Sequence, residues 1–490
     1  MPASLSTWTD QIMEISSRLQ APFLRRGKVD KLLLSLFLAI NLLVLTNSVL
    51  HNPEIGYDGT EHLKYIQALP YRLPTEADTR EFFSAPLPYF LPSLVNEACH
   101  RLSGASEVAG TIDDCLRAAG KFAQIINFIL SLGVTFLFIQ IGEVVRPGNR
   151  FLKISSLALL GVMTVYYKTF SQVRGEPYLL FFCVWAIYLV AQIISARERV
   201  SWRSGVLPGI ALGAMLLSRQ WGFMLIPALA GLWALVWVLE ANNRWQFTKA
   251  LIACAVTAFL LCGWFYFSLT IRYGTFLAFN RSPMAFSFSN QPTSFYRNTG
   301  LKGFLLFKSP IRGTFNNQFI PIFYSDIWGD YWGHFVFIQD RSYLGELGYG
   351  NREQIAPFLG RVNAVSLYPS LIFLAGMVLS GFSLVRYFRG NALEKSRSLF
   401  YKFLFMFMML SFLLFFYFLI VYPIPDQGDT IKAAYLLHAL VVLPLLGAEF
   451  LEKVRVRYPR VYLIGLALLG LVFMHNLPAM ITRYRVLFYQ

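Results

Sequence analysis

An all-α polytopic membrane protein with about 11 transmembrane helices is the fold class this sequence predicts, and three observations carry that reading. The 490 residues are 56% hydrophobic and 16% aromatic but only 14% charged, a balance that an ordinary water-facing globule does not have. Apolar runs of about 18 residues or more recur along the whole length, each long enough to cross a bilayer. The basic residues gather in short segments between those runs, and every cluster falls on one side if the spans alternate.

The spans read as 32–50, 121–143, 151–170, 176–196, 204–218, 222–240, 250–271, 364–386, 403–421, 432–450 and 461–478. The basic clusters are Arg25, Arg26 and Lys28; Arg146, Arg150 and Lys153; Arg197, Arg199 and Arg203; Arg244 and Lys249; Arg386, Arg389, Lys395 and Arg397; and Lys453, Arg455 and Arg457. Their agreement puts the amino terminus in the cytoplasm and the carboxyl terminus outside. The formal charge of +16 is explained by this bias, so nucleic acid is excluded as a partner and membrane lipids are expected instead.

Four segments follow from this layout. Residues 1–31 are polar and basic, with no cleavable signal; Trp8, Ile12, Ile15 and Leu19 at helical spacing predict an interfacial helix on the inner face. Residues 32–271 form a first transmembrane module containing an external loop at 51–120. Residues 272–363 form a second large external loop, rich in Phe, Tyr, Trp, Asn and Gly. Residues 364–490 form the last transmembrane module. Loops of this length in a compact membrane protein are usually functional.

Within the first loop, residues 58–69 can form a helix whose Leu63, Ile66 and Leu69 share one face, expected to rest flat on the membrane. The proline-bearing stretch from Phe82, with Pro86, Pro88 and Pro92, reads as a second surface or re-entrant helix. Cys99 and Cys115 share this loop and can form one bridge if it faces an oxidising compartment, whereas Cys183, Cys254 and Cys262 read as small core residues. No CxxC or Cys/His cluster of zinc type is present in the sequence.

The ionisable residues Asp58, Glu61, Arg174, Glu176, Arg219, Asp426, Asp429 and Lys432 all belong to one membrane face on this topology. Acids beside cations suit a transfer in which phosphate leaves: an acid takes a proton from the attacking hydroxyl while cations hold the charge that grows on the leaving group. Plainer roles exist for each. Asp58 and Glu61 have the spacing of a helix capping box, and Glu176 with Pro177 is a normal helix opening. His62 is either a solvated interfacial histidine or a ligand, and Lys432 and Arg219 can snorkel from span ends. Trp328, Tyr331 and Trp332 read either as an interfacial belt or as rings on which a sugar stacks.

Asp58 in GYDGTEHL, the following APLPYF, RGEPYL at the fourth span and DTIKAAYLL at a late span together resemble the GT-C superfamily of polytopic glycosyltransferases. The likeness is to the family of protein O-mannosyltransferases and the lipid A aminoarabinose transferase. It implies a GT-C-like fold and an inverting transferase that moves a monosaccharide from a polyprenyl-phosphate donor to a hydroxyl acceptor on a glycan, lipid or protein. Asp58 would be the catalytic base and Glu176 would position substrate or share a metal. Arg219 and Lys432 would bind the lipid phosphate; Glu61, His62, Arg174, Trp328 and Trp332 are, from their own positions, the further candidates for contact with substrate. Members often carry an Asp-Glu pair in the first loop, whereas here Gly59 follows Asp58.

Metal dependence varies across that superfamily, so a divalent cation is neither required nor excluded. The expected location is the plasma (inner) membrane with an extracytoplasmic site, or the endoplasmic reticulum in a eukaryote. A polymerase or ligase using diphosphate-linked donors and a lipid-linked glycan transporter or flippase are the competing functions. Transporters usually place polar groups near the bilayer midplane, whereas here they sit at span ends.

Overall fold

A computed structural model describes residues 28–104, 110–196, 200–297, 300–336, 352–388, 391–426 and 428–482. The expected interfacial helix around Trp8 to Leu19 lies outside the described residues, as do Arg25, Arg26, Arg197, Arg199 and Arg389 and the stretch 337–351 of the second loop.

Eight helices among the described residues are long and apolar enough to cross a membrane, which makes this a multi-pass membrane protein: Val29–Leu50, Asp114–Val145, Glu176–Ser195, Gln220–Leu239, Arg244–Tyr273, Ile355–Gly381, Ala392–Val421 and Pro459–Met480. A ninth is the pair Ala433–Leu440 and Val442–Arg457, bent by 43°. The bend has a chemical cause: Pro444 lacks the N–H that would bond the Leu440 carbonyl, and the first helix ends there.

The other two expected spans differ from the reading of eleven. Residues 151–170 break into helices Arg150–Gly161 and Thr164–Ser171, and the Tyr167 hydroxyl donates to the freed Gly161 carbonyl at 2.7 Å. Residues 204–218 supply only the short helix Val206–Leu216. Apolar composition was sufficient in both, but helix length was not. The span expected from residue 364 begins earlier, at Ile355.

Five elements position the site. They are α1 (Gly59–Ala68), α2 (Leu87–Ser103), α3 (Thr164–Ser171), α4 (Phe319–Trp328) and α5 (Ala433–Leu440). Contrary to the sequence expectation, the Leu63, Ile66 and Leu69 face of α1 does not rest on the membrane. It packs with Tyr65, Tyr89, Leu116 and Ala119 into a small core of its own. The exposed apolar face belongs to α2, through Phe90, Leu91 and Leu94. The Cys99–Cys115 disulfide ties the end of α2 to the start of the long span Asp114–Val145.

Among the described residues, four members of the basic clusters pair at the opposite end of the bundle. Arg146 grips both oxygens of Glu449 at 2.8 and 2.9 Å, Arg397 donates to the Val145 carbonyl, Arg150 pairs with Asp30, and Arg455 pairs with Glu452. This end and the Asp58 end are therefore two separate polar layers, joined by apolar helices.

Candidate active site

Asp58 closes the turn before α1 with φ 55° and ψ 30°, the left-handed conformation that Asp tolerates better than most side chains. It occupies the N-cap position but makes no side-chain cap bond, so the capping-box reading does not describe it. Glycine at 59 has a steric reason: a Cβ there would lie 2.6 Å from the Glu54 carbonyl oxygen. The turn thus leaves the Asp58 side chain 40% exposed, and its Oδ2 stands 3.9 Å from Lys432 Nζ.

Lys432 precedes α5 and its ammonium sits 5.0 Å from the Tyr57 ring centre and 5.6 Å from that of Tyr435. Burial works against its charge, but Tyr435, Asp58 and Asp429 together raise its pKa above the ordinary lysine value. Asp58, Lys432 and Arg219 line one cavity of about 180 Å³. Its walls include the aromatic rings of Phe83, Trp221, Phe279 and Tyr435, and Arg80, Glu81, Arg281 and Asp429 supply further charge.

Behind that cavity lies a tighter network. Arg174 donates to both oxygens of Glu176 at 2.6 and 2.7 Å, and Arg219 Nε donates to the same carboxylate at 3.0 Å. Arg219 Nη1 also donates to Glu81 at 2.7 Å and bonds Ser84. The local fold makes this possible because Gly175 lies against the Ser218 carbonyl, where a Cβ would come within 2.5 Å. Burial pushes the Glu81 carboxyl up, but Arg219 and His62 outweigh it and hold the group ionised, below the usual carboxylate range.

Several expected site residues are placed differently from the expectation. Glu176 is 1% exposed and accepts from Arg174 with both oxygens and from Arg219 with one, so it stands behind the cavity rather than on its lining. Arg174 is buried with it. Glu61 turns away to accept from Lys64, the Arg80 amide and Thr79. His62 is buried rather than solvated, bonded to Tyr89 at 2.9 Å, and burial lowers its pKa to about 4.

Trp328 and Trp332 are each 2% exposed. Trp328 stacks on Phe373, and Trp332 donates to the Ile431 carbonyl at 3.1 Å, and neither ring is on the cavity lining. The rings available to a ligand are those of the cavity wall. Glu81 was missed by the sequence reading, although it lies four residues before the APLPYF stretch.

Among the described residues no three His, Cys, Asp or Glu side chains come together. Glu176 and Glu81 face arginine and Asp58 faces lysine, so these acids, among the described residues, do not fit a divalent cation.

No protein-family model matches the chain, and no curated protein matches it. Solved structures with a similar course include the Archaeoglobus fulgidus oligosaccharyltransferase in complex with Zn and sulfate, at 14% identity and a TM-score of 0.48, covering 91% of this chain and 53% of that one. The archaeal oligosaccharyltransferase AglB from the same organism, with an inhibitory peptide and a dolichol-phosphate, matches at 14% identity and 0.47 over 92% of this chain and 56% of that one. This chain thus spans about half the length of those enzymes. ArnT from Cupriavidus metallidurans bound to undecaprenyl phosphate matches at 13% identity and 0.33, covering 86% and 78%.

Proposed function

We propose that this protein is an inverting glycosyltransferase that moves a monosaccharide from a polyprenyl-phosphate donor to a hydroxyl acceptor on the outer side of the membrane. The observation that carries the reading is the partly exposed carboxylate of Asp58 beside Lys432, 3.9 Å away, on the lining of one small, aromatic-walled cavity. An acceptor hydroxyl gives its proton to Asp58 as its oxygen attacks C1 of the sugar. The C1–O bond to the lipid phosphate breaks on the opposite face, and the phosphate leaves with the bonding pair, its charge met by cations of the cavity lining.

Arg219 adds positive charge to the same wall while remaining anchored by Glu81 and Glu176. A single base with no covalent intermediate implies inversion. The paired Cys99 and Cys115 support an oxidising compartment for this loop, hence an extracytoplasmic site.

The test is transfer by purified protein from polyprenyl-phosphate sugars, native against Asp58→Asn. Turnover of donor by Asp58→Asn at the native rate would remove the assignment. One observation favours a second reading: Arg80 and Arg281 on the cavity wall suit a second phosphate, as in a diphosphate-linked donor. Parallel assays with the two donor classes separate the readings.

A further inference from the structure

A fully buried ion pair lies behind the cavity and contributes nothing to its lining. Lys168 of α3 and Asp326 of α4 are both 0% exposed and in direct contact. Lys168 Nζ also donates to the Asp326 carbonyl at 3.0 Å.

The two carboxylate oxygens of Asp326 go to different parts of the chain. Oδ1 accepts from the Tyr57 hydroxyl at 2.8 Å, and Oδ2 accepts from the Ala433 amide at 2.7 Å. Tyr57 immediately precedes Asp58, and Ala433 immediately follows Lys432. One carboxylate therefore grips the neighbours of both groups that meet at 3.9 Å on the cavity lining.

We infer that Asp326, neutralised by Lys168, is a positioning residue that sets the separation of Asp58 and Lys432. This rests on the function proposed above. The chemistry favours a carboxylate at this point, because an apolar side chain fills the space but leaves the Ala433 amide and the Tyr57 hydroxyl without acceptors. A buried pair is also poor evidence of a purely stabilising role, since apolar replacements of similar volume are often as stable. Proximity chemistry is sensitive to such placement.

The test uses the full chain in detergent with Asp58→Cys and Lys432→Cys, joined by a short thiol-specific cross-linker; Cys183, Cys254 and Cys262 are buried. Two backgrounds are compared with the native one: Asp326→Leu with Lys168→Met, which removes the pair together, and Tyr57→Phe, which removes one arm. The cross-link yield is expected to fall several-fold in both. In chains that retain Asp58 and Lys432, Tyr57→Phe is expected to lower kcat about ten- to a hundredfold with the donor KM held, and the paired variant to raise donor KM as well.

Native cross-linking in both backgrounds, or native kcat and KM in the paired variant, overturns the inference. Should the paired variant not fold, Tyr57→Phe alone decides it by the same readouts. A native protein that transfers no sugar would sink the proposed function but not this inference, which the cross-link yield still decides.

Discussion

Two acids of this protein sit near arginine or lysine at the same end of the bundle and are put to opposite uses. Glu176 is buried and saturated, with three guanidinium bonds of 2.6 to 3.0 Å. Asp58 is partly exposed and meets its lysine loosely, at 3.9 Å. On the proposed function, the carboxylate assigned to chemistry is the one whose partner leaves it room for a substrate, while the tightly paired one lies behind the cavity and anchors Arg219 of its wall.

The sharpest way to break the comparison is to neutralise each acid in turn. Asp58→Asn should lower transfer by about two to four orders of magnitude while leaving the thermal midpoint unchanged, as measured by turnover and by unfolding in detergent. Glu176→Ala should do the reverse in kind. It strands Arg174 and Arg219, and the stability loss should be about 3–5 kcal/mol, with activity per folded molecule far less affected than in Asp58→Asn. If the Glu176 variant folds normally but is as inactive as Asp58→Asn, the division of roles is wrong.

Removing the tether comes next. Cys99→Ser with Cys115→Ser should cost about 2–4 kcal/mol, seen as a lower unfolding midpoint, because it frees α2 from the span that follows. Lys432→Met should act on the donor: its KM should rise about tenfold or more, with acceptor KM nearly unchanged. An equal rise for both substrates would detach Lys432 from the phosphate.

The smallest effect is a pH slope. Burial holds His62 at a pKa of about 4, below the ordinary histidine value of about 6.5. Between those two values the unfolded chain binds more protons than the folded one, so stability should fall as pH drops through that window and be complete above it. His62→Phe, which keeps a ring against Tyr89, should flatten the slope. An unchanged slope would assign the acid sensitivity to other groups.

Much of this site could be read in the sequence because span ends are marked by hydropathy. Asp58, Arg219 and Lys432 each flank an apolar run, and alternation alone brings them to one face. Glu81 escaped because it sits neither at a span end nor in a periodic segment, and Tyr57 because the partner of its hydroxyl, Asp326, is distant in the chain. The aromatic wall was misjudged for a related reason: a tryptophan beside an apolar helix has the same local signature whether it faces a ligand, lipid or core. Trp328 and Trp332 went to packing, while Trp221 opens on the cavity.

The span count shows the same limit. Val162 and Met163 are as apolar as their neighbours, so nothing in composition marks the break between Gly161 and Thr164. Pro444, by contrast, announces the bend at Val441 in advance, since proline removes a defined hydrogen bond. Chemical interruptions can be read along a chain; conformational ones depend on what packs against it.

The crowding at position 59 reaches beyond its own turn. A backbone oxygen occupies the space where any larger residue would begin, so the chain cannot accommodate two adjacent acids there without first remodelling residues 53 and 54. An engineer wishing to graft a metal-chelating pair onto this scaffold would have to rebuild that corner before touching the carboxylates themselves.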